Sequence, residues 1–259
     1  MIETDHPNYP EPTLLEALAE IHFQLPAGFP WANQLMGEFY KRIQSDYPDI
    51  EPIIDMGVQM DFGATHGVPF AFPARQRFRY KHKSRSLMLQ LAEGVFTVNT
   101  LRPYQGWLVM RQDIVDAWVQ LAEVVHPAAV VRISLRYINK IPLFASDPTP
   151  GYWLKANDFI AANVLQSQPG FLSRSEVRAK PQNSTVVTLA YQPPVPGHNQ
   201  GSAGFLIFDI DRIEEAQVSI ESSALLLHLD ALHKDVWMVF QSAAKHNLES
   251  LLKGTNPCP

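Results

Sequence analysis

A run of alternating charged and aromatic residues between Ala74 and Tyr104 constrains the fold more than any other stretch of the chain. Because successive side chains of a β-strand point to opposite faces of a sheet, this run predicts one cationic face and one aromatic face. Ser84-Arg85-Ser86 interrupts the alternation, and Glu93-Gly94 marks a second turn. The stretch therefore predicts three antiparallel strands joined by short turns. The cations that alternate along it are Arg75, Arg77, Arg79, Lys81 and Lys83.

Periodicity elsewhere in the chain predicts both helices and strands. Apolar residues recur at helical spacing in the segments 31–43 and 104–125, and again in a long C-terminal run, 223–252. A shorter helix is predicted for 154–165. Alternating or β-branched runs predict strands at 14–23, 53–62, 130–141, 172–180, 185–191 and 203–210.

The order of these segments predicts an α+β protein with a repeated arrangement. Residues 14–126 read as strand, helix, several strands and long helix, and residues 130–252 read in the same order. The predicted architecture is a curved antiparallel sheet with its helices on one face, built from a first half, 1–128, and a second half, 129–259, that share one core. Residue identity between the halves is weak, so the predicted duplication rests on element order alone. This architecture leaves one sheet face open to solvent or a ligand.

Composition limits the classes of function. The formal net charge is −5, and the 259 residues are 46% hydrophobic and 18% charged, which is typical of a soluble globular protein. A chain with this charge does not bind polyanions through its overall charge. Its one cysteine, Cys258, excludes an internal disulfide, and no apolar run reaches the roughly 20 residues of a membrane-spanning helix. The N-terminus lacks the basic and apolar regions of a signal peptide, so we predict a cytoplasmic protein.

Basic residues concentrate on the predicted strands, which indicates a binding surface. Three such strands with cations on one open face would form a positive surface suited to phosphate, nucleic acid or an acidic protein. The alternative is an ordinary solvated face whose charges are neutralised by Glu176 and by acidic helix residues. No aromatic residue shares the cationic side of the first row, which disfavours stacking on single-stranded bases. The candidate binding residues are Arg75, Arg77, Arg79, Lys81, Lys83, Arg132, Arg136, Tyr137, Asn139 and Arg178.

Two groups of polar residues have the composition of a catalytic or metal site. His228 and His233 are five positions apart on a predicted helix, so they point about 140° apart and do not form the usual pair of helical zinc ligands. Asp230 and His233 are close enough to form a surface pair. Asp209 and Asp211 share a strand face, where two carboxylates can hold a cation, divide acid and base roles, or pair with nearby cations.

Motifs of common enzyme and cofactor classes are missing from the sequence. It contains no P-loop, no dinucleotide-binding glycine pattern, no nucleophile elbow and no plausible cysteine nucleophile. We therefore predict no cofactor, metal or catalytic residue, and leave open whether the protein is an enzyme. The tryptophans fall mostly on apolar helical stripes, where they fill a core or line a cavity between the helices and the sheet.

Short motifs that carry a family resemblance are spread over most of the chain. They are Glu16-Ala17, Glu20-Ile21-His22-Phe23, Val98-Asn99 with Tyr104 and Trp107, Leu135-Arg136-Tyr137-Ile138-Asn139, Asp209-Ile210-Asp211 and Leu232-His233. Together they resemble a sporadically distributed, uncharacterised bacterial protein family of similar length. No reaction, cofactor or catalytic residue is established for that family, so the resemblance implies none here. Its patchy occurrence is similar to that of mobile defence or toxin–antitoxin genes, which implies such a role by analogy alone.

Three functional hypotheses follow. The favoured one is a non-catalytic interaction protein whose cationic sheet face engages an anionic protein or nucleic acid. The residues expected at the centre of that face are Arg77, Arg79, Lys81 and Arg136. The alternative is a small-molecule sensor or enzyme, which a closed apolar pocket containing Arg136, Tyr137 or Asn139 and a co-purified ligand would favour. A third possibility is a scaffold that forms oligomers through an exposed helical stripe.

Overall fold

The structure is a computed structural model that describes residues 9–10, 12–55, 58–59, 70–71, 75–194 and 202–255. Cys258 and, within the strand predicted at 53–62, residues 56–57 and 60–62 lie outside the described residues. Within them, the strands in chain order are β1 (Leu14–Gln24), β2 (Asp49–Asp55), β3 (Val58–Gln59), β4 (Phe70–Ala71), β5 (Arg75–Lys81), β6 (Leu87–Ala92), β7 (Val95–Leu101), β8 (Ala129–Phe144), β9 (Leu172–Lys180), β10 (Asn183–Gln192) and β11 (Ser202–Glu214).

Nine of these strands form one open antiparallel sheet that includes both halves of the chain. Their spatial order is β2-β5-β6-β7-β1-β8-β11-β10-β9, while β3 and β4 pair separately. The three strands predicted between Ala74 and Tyr104 are confirmed as β5, β6 and β7, joined in the expected antiparallel register. The strands predicted at 14–23, 130–141, 172–180, 185–191 and 203–210 are confirmed as β1, β8, β9, β10 and β11.

Four described helices accompany the sheet: α1 (Asn33–Ile43), α2 (Trp107–Val125), α3 (Ser222–Ala243) and α4 (His246–Leu252). The helices α1, α2 and α3 each contact the sheet through an aromatic ring. The pairs, helix residue first, are Phe39 with Tyr80, Trp118 with Phe96, and Phe240 with Phe208. Strand register places the three strand residues on the same side of the sheet. The α+β class is therefore confirmed. None of the described helices is both long enough and apolar enough to cross a membrane.

The central strand β1 forms although its leucine, glutamate and alanine residues favour a helix. It hydrogen-bonds to β7 on one side and to β8 on the other. Ala17, Ala19 and Ile21 are fully buried on its helix-facing side. Pairing on both edges satisfies the hydrogen-bonding groups of the backbone. Such tertiary pairing commonly overrides the helix propensity of individual residues in a strand.

The helix predicted at 154–165 is wrong. The chain has only short 3-10 turns in this region, at Pro150–Tyr152 and Val164–Gln166. Between them the side chain of Asn157 accepts hydrogen bonds from the backbone N–H groups two and three positions later, both at 2.9 Å. Such side-chain bonds compete with the helical backbone ladder, so the chain turns instead.

The single long helix predicted at 223–252 is also wrong, because the structure divides it into α3 and α4. Ala244, between the two helices, has an extended backbone with φ −65° and ψ 134°. The N–H of Lys245 donates to the carbonyl of Trp153 at 2.9 Å. Because the Lys245 N–H bonds to a distant loop, it does not take part in the helical hydrogen-bond ladder. No local sequence pattern predicts this long-range hydrogen bond.

The two halves follow the same order of elements in part. β1 and β8 pair at the centre of the sheet, and each is flanked by the strand that precedes its half's long helix, β7 or β11. The second half has 3-10 turns where the first half has α1. Duplication and the curvature of the sheet stay predictions.

Candidate functional site

The central strand β8 separates two candidate sites, because its alternate side chains face opposite sides of the sheet. Arg132 and Arg136 face the open side, where they pair with carboxylates of β1 and β11. Tyr137 and Asn139 face the helices and are buried. The binding residues predicted from the sequence are therefore divided between two surfaces.

A pocket of about 320 Å³ lies on the helix-covered side, between the sheet and the helices α2 and α3. This volume is within the range of small-molecule sites. Thr13, Gln105 and Asn139 contribute polar groups, and no Asp, Glu, Lys or Arg is among the described residues that line it. The principal aromatic lining residues are Tyr104, Trp107, Tyr137, His233, Trp237 and Phe240.

Two tyrosine hydroxyls form a pair in this pocket. The hydroxyl oxygens of Tyr104 and Tyr137 are 3.0 Å apart, and their rings meet edge to face. Burial raises the pKa of Tyr137 well above its ordinary value. Burial also raises the pKa of Tyr104 to about 12, although the hydrogen bond with Tyr137 acts in the opposite direction. Both phenols are therefore protonated at neutral pH and act as hydrogen-bond donors.

A stacked pair of rings connects α2 to α3 beside the hydroxyls. The rings of Trp107 and His233 are 4.3 Å apart and nearly parallel. The indole N–H of Trp107 donates to Asp230 at 3.0 Å, and Arg111 donates two hydrogen bonds, of 2.8 and 2.9 Å, to the same carboxylate. Asp230 therefore holds Trp107 in a fixed orientation.

The amide of Asn139 is also fixed. Its oxygen accepts a hydrogen bond from the hydroxyl of Thr13 at 3.0 Å, and its nitrogen donates to the carbonyl of Phe208 at 3.3 Å. Asn139 is only 6% exposed. These bonds connect the start of β1 to β8 and β11 and give the floor of the pocket a defined polar group.

The histidine–aspartate group predicted on α3 does not converge on one point. His228 contacts Glu214 at 2.9 Å, whereas Asp230 and His233 each contact Trp107. Within the part of the chain that the structure describes, no three histidine, cysteine or acidic residues are placed to hold a metal ion.

The pattern of the sequence singled out Tyr137 and Asn139, but it did not connect them with Tyr104 or His233. Trp107 was expected in the apolar stripe of a helix, where it indeed lies, 7% exposed. Its role as a pocket wall depends on α3, more than 100 residues later in the chain. No local signal in the sequence contains this proximity.

On the open side of the sheet, strand register brings three basic rows onto one face. Because adjacent strands lie about 4.8 Å apart, the rows on β5 and β8 are about 19 Å apart, and those on β8 and β9 about 14 Å. The rows therefore share a face without touching. Their members with described side chains are Arg77, Arg79, Lys81, Arg132, Arg136, Lys140, Arg174 and Arg178.

Carboxylates on the same face neutralise much of this charge. Arg136 makes two hydrogen bonds to Asp209, of 2.8 and 2.6 Å, and this aspartate is 6% exposed. The pairing expected for Asp209 as an alternative to chemistry is confirmed. The other pairs are Arg79 and Lys81 with Glu51, Arg132 with Glu20, and Arg174 and Arg178 with Glu176.

Lys83, the last cation of the first predicted row, and Arg85, in the turn that follows it, lie beyond β5, which ends at Lys81. Lys83 pairs with Asp46, in the turn after α1, at 2.9 Å. Arg85 makes two hydrogen bonds to Asp113 of α2, of 2.7 and 2.5 Å. The side chain of Arg75, on β5, lies outside the described side chains.

The centre of the open face contains two carboxyl groups with opposite pKa shifts. Burial raises the pKa of Asp211 to about 6, although Arg136 and Arg132 oppose this. One of its carboxyl oxygens is buried without a hydrogen-bond partner among the described residues. Burial would also raise the pKa of Glu20, but its hydrogen bond with His22 and the charge of Arg132 lower it to about 2.

No protein-family model matches the chain, and a search of curated proteins found no match.

Proposed function

We propose that the protein binds a small, uncharged molecule in the pocket between the sheet and the helices α2 and α3. The observation that supports this most directly is the combination of a volume of about 320 Å³, an aromatic lining and few polar groups. Most small-molecule sites have this composition, since apolar burial supplies the affinity and a few polar groups supply orientation. Tyr137 and Asn139, two of the residues expected in such a pocket, line it.

The fixed positions of the polar groups support the same proposal. Asp230 orients Trp107, and Thr13 orients the amide of Asn139. A site whose side chains are already held in place loses little conformational entropy when a ligand binds. A sensor and an enzyme would share this property, so the proposal concerns binding alone.

Fluorescence titration with the uncharged dye N-phenylnaphthylamine tests this proposal. Val236 lines the pocket and is 5% exposed, so Val236→Trp should fill the space and weaken dye binding at least about tenfold. Met238, two positions later on α3, is 49% exposed and lies outside the pocket lining. Met238→Trp is therefore the matched control, and its affinity should equal that of the wild type.

Circular dichroism must show that the Val236→Trp protein is folded before its titration is interpreted. A folded Val236→Trp protein that binds the dye as tightly as the wild type would contradict the proposal. Native mass spectrometry adds an independent measurement. A ligand held by apolar contacts should remain bound after a high-salt wash, because salt screens charge pairs and strengthens apolar burial.

A second candidate function is the interaction of the open face with an anionic protein or nucleic acid. The position of three basic rows on one face favours it. The edge strand β9 favours it too, because Arg174 and Arg178 share the single carboxylate of Glu176. The side chains of these two arginines are each 60% exposed. The extensive ion pairing elsewhere on the face places this candidate second. A defence or toxin–antitoxin role belongs to this candidate.

Binding of duplex DNA and of polyglutamate at increasing salt tests the second candidate. Binding that weakens steeply with salt, and that the double variant Arg174→Glu/Arg178→Glu abolishes, would support it. Salt-independent binding, or none at low salt, would contradict it.

We further propose that the two halves derive from one duplicated unit. The central positions of β1 and β8, each beside the strand that leads into a long helix, support this. The absence of an α1 counterpart in the described part of the second half requires that this helix was lost or reshaped.

A further inference from the structure

Aromatic rings supply most of the pocket lining. Trp107 and His233 form one stacked pair, 4.3 Å apart, and Trp237 and Phe240 form another, 5.7 Å apart. Flat rings gain stacking and edge-to-face contacts with such walls that saturated rings of the same size do not. The lining therefore favours an aromatic ligand over an aliphatic one.

The charged side chains of Asp230 and Arg111, near the pocket, already form hydrogen bonds with each other. Asp230 accepts two hydrogen bonds from Arg111 and one from Trp107, and neither Asp230 nor Arg111 lines the cavity. An ammonium that entered would lose its hydration without an Asp or Glu among the described lining residues to pair with, and a carboxylate would find no Lys or Arg there. This cost is large, so the lining selects uncharged ligands.

The tyrosine pair provides one hydrogen-bond donor to a ligand. Tyr104 and Tyr137 have two hydroxyl hydrogens, but a single hydrogen bond joins them and neither hydroxyl has another partner among the described residues. One of the two hydrogens is therefore available. Since a phenol that stays protonated donates this hydrogen, the complementary group on a ligand is an acceptor oxygen.

We infer that the ligand is a flat, uncharged aromatic molecule with an acceptor oxygen, such as an aryl ketone, whose oxygen receives a hydrogen bond from the Tyr104–Tyr137 pair. This inference rests on the proposed function of the pocket. It makes a more specific claim, because it names the shape, the charge and the polar group of the ligand.

A series of four compounds, each titrated against the bound dye, separates these three properties. Methyl naphthyl ketone has all of them. Ethylnaphthalene lacks the acceptor, naphthoate adds a negative charge, and methyl decalyl ketone is not flat. We expect the aryl ketone to bind about 2- to 10-fold more tightly than ethylnaphthalene, the range of one net hydrogen bond. It should also bind at least about tenfold more tightly than naphthoate, and more tightly than the saturated ketone.

Variants of the tyrosine pair test the assigned donor. The double variant Tyr104→Phe/Tyr137→Phe should bind the aryl ketone and ethylnaphthalene equally well. Each single variant keeps one hydroxyl, whose hydrogen the loss of the pair releases, so each should keep the preference. Tyr40→Phe is the control, because the hydroxyl of Tyr40 donates to the carbonyl of Pro48 and lies outside the pocket lining.

The outcomes separate this inference from the proposal on which it rests. Equal affinity for all four compounds, lost in Val236→Trp, would overturn the ligand class and leave the binding function standing. Failure of all four to displace the dye would also overturn the class. Absence of dye binding itself would overturn the proposed function. If the double variant does not fold, the comparison of the four compounds in the wild type still decides the question.

Discussion

Tyr137 and Arg136 are neighbours in β8, yet they lie on opposite faces of the sheet in different surroundings. On the helix-covered side, Tyr137 is buried among rings and bonds to another neutral hydroxyl. On the open side, Arg136 keeps 40% of its side chain exposed and forms an ion pair with two hydrogen bonds. The described pocket lining presents its polar groups without Asp, Glu, Lys or Arg, whereas the open face pairs charge with charge.

A row of cations in a sequence therefore predicts which side chains share a face, but it does not predict that the face has a positive potential. The acids that neutralise the rows come mostly from neighbouring strands, as Glu20 does for Arg132 and Glu51 for Lys81. Four substitutions, one at the Arg111–Asp230 pair and three on the open face, test how far pairing and burial stabilise each charge.

The largest effect is expected where a charged pair lies on the helix-covered side. Asp230→Ala removes the acceptor of both Arg111 and Trp107, whose side chains are largely buried. We expect the free energy of unfolding to fall by about 3 kcal/mol, because a buried cation loses its partner. Urea denaturation measures this change. A loss below about 0.5 kcal/mol would show that the pair behaves like a surface ion pair.

A smaller loss is expected at the centre of the open face. Arg136→Gln leaves the carboxylate of Asp209, which is 6% exposed, without its cation. The exposure of Arg136 lets water compensate in part, so we expect a loss of about 2 kcal/mol. The double variant Arg136→Gln/Asp209→Asn should recover part of this stability in the same denaturation assay. Additive losses would contradict the pairing.

Asp211→Asn should change how the stability of the protein depends on pH. Because burial raises the pKa of Asp211 to about 6, while an aspartate in an unfolded chain titrates near pH 4, the folded protein binds an extra proton between these values. The stability that this group contributes is complete below about pH 4 and is lost as the pH rises through about 6.

The Asp211→Asn protein should therefore be more stable than the wild type by about 1–2 kcal/mol at pH 7, with the difference shrinking towards pH 4. Thermal unfolding across this pH range measures it. A difference that does not change with pH would mean that Asp211 is ionised throughout.

The smallest effect is expected at the edge of the open face. Arg178→Gln breaks an exposed contact with Glu176 within β9. Exposed ion pairs contribute little, so the free energy of unfolding should change by less than about 0.5 kcal/mol. A loss as large as that of Arg136→Gln would show that the edge and the centre of the face are equivalent, against the burial observed for Asp209.

Local periodicity predicted much of the fold. The alternation in Arg75–Lys81 and in the strand that became β8 was sufficient to assign strands and to separate Arg136 from Tyr137 by face. The same reasoning failed at 154–165, where one asparagine side chain forms a turn, and at Lys245, whose backbone bonds to a distant loop. In both places a backbone N–H group bonds outside the helical ladder, although the spacing of the apolar side chains predicts a helix.

Spacing along the chain therefore predicts which residues form most of the strands and helices, and which neighbours in β8 face opposite sides of the sheet. The folded structure was needed to show that Asp209 neutralises Arg136 from 73 residues away and that Tyr104 contacts Tyr137. It also decided that α2 and α3 enclose a pocket. The physical reason is that ion pairing and enclosure depend on contacts between elements, which the order of residues within a single element does not specify.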